Sequence, residues 1–125
     1  MTALSGGKLI QHVNHPGEHY CTTFKGTKYL MNSIHHQMCY PYDMNPEDYV
    51  VLSWTEQLSP FHIGEDNKQI EFPKIALDEK GLFKEPEVVW YPKTRCLGIQ
   101  GHFEWWSTKS EGNKFINEVI KEYCL

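Results

Sequence analysis

Histidine and glutamate side chains carry most of the chemistry this sequence offers. Seven histidines fall within 125 residues. His12, His15 and His19 share one short stretch, His35 and His36 are adjacent, and His62 and His102 stand apart. Glu104 follows His102 by two positions. In an extended segment such residues project to the same side. The carboxylate can then hold one ring nitrogen and leave the other to accept a proton. Base plus orienter are the second and third members of a nucleophile triad. Spacing alone does not separate that role from a structural His–Glu contact.

The run His12-x2-His15-x3-His19 offers three nitrogens, the ligand count of a catalytic zinc site. Its spacing lacks the helical presentation of zinc-binding histidine pairs and crosses the Pro16–Gly17 turn, so the expectation is no metal. His15, His19 and His62 are expected to be solvated loop side chains. The four cysteines, Cys21, Cys39, Cys96 and Cys124, show no CxxC pairing. Reduced thiols are expected, with Cys21 and Cys96 packed inside strands.

The elements that must position these groups are mostly strands. Met1–Ser5 reads as a last helical turn stopped by Gly6–Gly7, and Lys8–Val13 as a short strand. His19–Lys25 and Lys28–Ile34 form a pair of strands joined through Gly26. Tyr40–Pro46 is a loop, Pro46–Asp48 a helical turn, and Tyr49–Trp54 a strand. From Glu56 to Glu85, Pro60, Gly64, Pro73 and Gly81 punctuate a surface excursion with one short strand near Ile70–Phe72. Val88–Tyr91 and Cys96–Gln100 make an antiparallel hairpin across Pro92–Arg95. In Glu111–Leu125, the spacing of Phe115, Ile116, Val119, Ile120 and Tyr123 predicts an amphipathic helix.

Composition bounds the function. At 40% hydrophobic, 22% charged and 14% aromatic, the chain reads as one domain spanning residues 1–125. A net charge of −4 with scattered lysines argues against nucleic-acid and membrane-surface partners. No apolar run approaches the roughly 20 residues of a membrane span, and the N-terminus lacks a signal-peptide pattern. A cytoplasmic location is the expectation.

Three segments, Gly6–Gly–Lys–Leu–Ile–Gln–His–Val13, Asn32–Ser–Ile–His–His–Gln37 and Gly98–Ile–Gln–Gly–His–Phe–Glu104, together resemble the class I glutamine amidotransferase-like superfamily. The likeness covers nearly the whole chain and is nearest the γ-glutamyl hydrolase branch, with compact bacteriophage versions particularly similar. It implies an α/β fold: the C-terminal part of a flavodoxin-like class I amidotransferase fold, β-rich with a C-terminal helix. It also implies hydrolysis of a small-molecule amide or γ-glutamyl substrate with no cofactor. By motif match His102 would be the base and Glu104 its orienter, while Ser33, His35 and His36 would line the substrate pocket. Phe103 departs from the family pattern, which has proline between the two catalytic residues.

The resemblance also exposes a gap. The family's nucleophile is a cysteine on a sharp strand-to-helix turn, and none of the four cysteines matches it. The expectation is a chain that supplies the His–Glu pair to a site completed by an N-terminal partner polypeptide. The alternative is a non-catalytic small-molecule-binding protein that self-associates. Its pocket would be walled by Tyr40, Trp54, Trp90, Trp105 and Trp106.

Overall fold

The computed structural model describes every residue except Pro16, Ser33 and Ile34. Among the described residues nine strands run in chain order: β1 (Lys8–Ile10), β2 (His12–Val13), β3 (Glu18–Thr23), β4 (Lys28–Asn32), β5 (Met38–Tyr40), β6 (Val50–Thr55), β7 (His62–Ile63), β8 (Glu85–Tyr91) and β9 (Cys96–Ile99). Helix α1 (Glu111–Val119) follows and runs on as π-helical turns over Ile120–Cys124. Among the described residues no helix is long and apolar enough to cross a membrane.

The main sheet has five strands in the order β4-β3-β6-β8-β9, antiparallel throughout. Two small antiparallel ribbons, β1 with β5 and β2 with β7, lie beside it. This corrects the expected flavodoxin-like arrangement. A parallel doubly wound sheet needs a crossover of about a dozen residues or more between neighbouring strands. Here β3 and β4 are joined by Phe24–Thr27, where Gly26 takes φ 82°, and β8 and β9 by the turn Pro92–Arg95. Links that short permit only antiparallel neighbours. Among the described residues the sole α-helix comes after the last strand, so it crosses over nothing. Register shifts in β6 at Val51–Ser53 and Ser53–Trp54 bend the sheet, which curls into a half-barrel.

Side chains on β8 alternate between two cores. Val88 and Trp90 face the helix, packing with Cys21, Tyr29, Met31, Leu52, Phe115, Ile116 and Val119. Val89 and Tyr91 face the other side, with Ile10, Met38, Tyr40, Tyr42, Ala76 and Phe83. Helix α1 forms because its apolar positions recur on one face and Ser110 caps it, Oγ accepting from the Asn113 N–H at 3.2 Å. The stretch expected to be a surface excursion instead sends Phe83 and Ala76 fully into the second core. Its strand lies at His62–Ile63 rather than Ile70–Phe72, and Gln69 bridges back to Ile63.

Candidate functional site

His102 and Glu104 meet as expected, though not on an extended strand. His102 precedes a 3-10 turn over Phe103–Trp105, and its Nδ1 lies 2.9 Å from Glu104 Oε1. Trp105 stacks on the imidazole with ring centres 4.0 Å apart and planes 6° from parallel. The His102 backbone N–H donates to the Asn32 carbonyl at 2.8 Å, which ties the turn to the end of β4. Gly101 makes that junction possible, since a Cβ there would sit 2.5 Å from Met31 Cγ. Among the described residues nothing hydrogen-bonds His102 Nε2, so one imidazole nitrogen remains for chemistry. The pair is open to solvent, with the side chains 36% and 57% exposed. The hydrogen bond from His102 lowers the Glu104 carboxyl below its ordinary value.

His35 and His36 line a groove of about 340 Å³ with Leu9, Gln37, Met38 and Gln100. Gln100 fixes one wall by accepting the Cys39 N–H at 2.7 Å. The groove therefore adjoins the chain segment that carries His102. Ser33, the third residue expected in the pocket, lies outside the described residues. A larger open groove of about 990 Å³ runs between β1, β5 and residues 64–73, remote in sequence from the His–Glu pair.

The densest chemistry is elsewhere and was not foreseen. Glu85 and Glu87, two apart on β8, are 0% and 1% exposed. Four histidines surround them. Glu85 Oε1 accepts from His62 Nε2 at 2.8 Å and from the Ser59 N–H at 2.9 Å, and Glu85 Oε2 lies 2.9 Å from His15 Nε2. Glu87 Oε1 is 3.2 Å from His19 Nε2, 3.5 Å from His15 Nε2 and 3.9 Å from His35 Nε2. His15 and His35 stack with centroids 4.4 Å apart. Burial opposes ionisation of Glu85, but hydrogen bonds from His15, His62 and Ser59 outweigh it and hold the carboxyl at about 2. Burial opposes ionisation of Glu87 too, and its imidazole neighbours likewise bring it below the usual range.

This cluster overturns the expectation that His15, His19 and His62 are solvated, since all three are buried. It also splits the run His12, His15, His19, because His12 points outward on β2. The missed signal was Glu85-x-Glu87 running into Val88–Tyr91: two carboxylates at strand period, entering an apolar strand. Pro86 between them disguised it, because proline argues against a central strand.

The cysteines are placed by the two cores. Cys21 and Cys39 are buried. Burial drives the Cys21 thiol well above its ordinary value and pushes Cys39 up to about 12, so both stay protonated at neutral pH. Cys96 lies half-buried on β9 and Cys124 exposed at the end of the π-helical turns. Comparison with protein-family models, curated proteins and solved structures finds no match.

Proposed function

We propose that this chain contributes the His102–Glu104 pair to a glutamine amidotransferase-like centre that hydrolyses a small amide or γ-glutamyl substrate. A second polypeptide would supply the thiol. The observation that carries the reading is the 2.9 Å contact from His102 Nδ1 to Glu104 with Nε2 left without a partner among the described residues. That is the geometry of an oriented base. Glu104 fixes the tautomer, and Nε2 takes the thiol proton as sulfur attacks the carbonyl. The same nitrogen then returns the proton to the departing amine. The buried, protonated Cys21 and Cys39 are poor candidates for the attacking thiolate.

The adjoining groove lined by His35, His36, Gln37 and Gln100 offers polar donors and acceptors suited to an α-amino-acid headgroup. An exogenous thiol can stand in for the partner. The test measures γ-glutamyl transfer from an activated γ-glutamyl ester to a small thiol, by the wild-type chain and by His102→Ala. A saturable rate that falls about 10²–10⁴-fold in the variant is expected of a lost general base. Equal rates in the two proteins would remove the assignment.

A further inference from the structure

We propose that His15, His35 and Glu87 form a binding site for one divalent metal ion, with zinc the ion best matched to the donors. One donor atom from each residue lies within 4.8 Å of the others. Tetrahedral zinc, with bonds of about 2.0–2.2 Å to nitrogen and oxygen, sets its ligand atoms about 3.3 Å apart. Glu87 Oε1 stands 3.5 Å from His15 Nε2 and 3.9 Å from His35 Nε2, so closing the set takes only a few tenths of an ångström.

The tautomer of His35 makes the stronger argument. Its Nδ1 lies 2.7 Å from the Gln37 carbonyl, which can only accept, so Nδ1 carries the proton. In the neutral ring Nε2 then presents a lone pair, and it faces a carboxylate. Nε2 of His35 and Oε2 of Glu87 are both buried without a hydrogen-bond partner among the described residues. A positive centre belongs between such atoms. At 3.9 Å the gap to Glu87 Oε1 is too wide for a shared proton, and a metal ion bonded to both sides closes it. The Gln37 carbonyl behind His35 is the outer contact that orients metal-binding imidazoles.

Charge points the same way. Glu85 and Glu87 place two carboxylates in the interior, and a divalent cation balances both. Zinc at His15 Nε2 would replace the 2.9 Å contact of that nitrogen with Glu85 Oε2, while Glu85 keeps its bonds from His62 and Ser59. Two imidazoles and one carboxylate leave a fourth position open, the pattern of zinc sites that act on a bound water or substrate. His35 also lines the groove beside Gln100. A second set, His19, Cys21 and Glu87, has compatible spacing, but burial keeps the Cys21 thiol protonated and disfavours it as a ligand.

The full-length chain, stripped with chelator and titrated with zinc alone, tests the proposal by calorimetry, metal analysis and X-ray absorption. One zinc per chain, held by nitrogen and oxygen only, is expected. His35→Ala and Glu87→Gln should each weaken binding at least about 10-fold, while His12→Ala, on the exposed face of β2, should not. If Glu87→Gln fails to fold, His35→Ala, whose parent side chain is 13% exposed, carries the test. No uptake, uptake unchanged in both variants, or sulfur in the zinc shell would each overturn it. His102→Ala should bind zinc normally, so this proposal and the hydrolase reading fail independently.

Discussion

Acid should unfold this protein through Glu85. Its carboxyl sits at about 2 in the folded chain against an ordinary value of 4.5. A folded value below the unfolded one stabilises the protein in full above pH 4.5, and that stabilisation drains as pH falls toward 2. A gap of about 2.5 units corresponds to ~3 kcal/mol, of which ~2 kcal/mol is gone by pH 3. That is a large share of the ~5–15 kcal/mol that holds a domain together. The measurement is urea unfolding followed by tryptophan fluorescence, at several pH values from 7 to 3, with chelator present. Glu85→Gln removes the titrating group, so at pH 7 it should be less stable than wild type. It should also lose ~2 kcal/mol less than wild type between pH 7 and pH 3. Parallel pH profiles for the two proteins would refute the reasoning, because they would show that Glu85 is not held ionised by His15, His62 and Ser59.

Other substitutions probe the scaffold. Phe83→Ala empties a fully buried position stacked 3.9 Å from Phe72 and should cost ~3–5 kcal/mol in thermal or urea unfolding. Ser110→Ala removes the cap on α1 and should cost ~1 kcal/mol, read as lower stability with the sheet signal of circular dichroism preserved. Gly101→Ala drives a methyl group into Met31 and should cost ~1–3 kcal/mol; the matching activity readout is a loss of His102-dependent thiol transfer. Glu104→Gln should reduce that transfer less than His102→Ala does, since it removes the orienter and leaves the base.

Local signals in the sequence were readable where the structure is local. The β3–β4 hairpin around Gly26, the β8–β9 hairpin across Pro92–Arg95 and the helix carrying Phe115, Ile116 and Val119 all follow from patterns a few residues long. The short turns at Phe24–Thr27 and Pro92–Arg95 already spoke for antiparallel pairing, whereas the flavodoxin-like expectation came from motifs alone. The His102–Glu104 contact was legible because both partners lie on one turn. The buried cluster was not. Its histidines come from four separate segments, and only the tertiary fold brings His15, His19, His35 and His62 to β8. Polar residues are expected at the surface until partners are known to neutralise them.

Strand β8 also sets a timetable for the chain. It pairs with β6 and β9, divides the two cores and supplies both buried carboxylates. A ribosome makes all four histidines before it reaches Glu85, so the growing chain holds imidazoles with no counter-charge and half-sheets with no centre. Contacts such as His15 with Glu87 close long loops, which slows folding. Until β8 emerges, the nascent polypeptide exposes the β6 edge and the apolar faces that β8 later separates, and holdase chaperones recognise such surfaces. Productive folding of this chain therefore waits for β8.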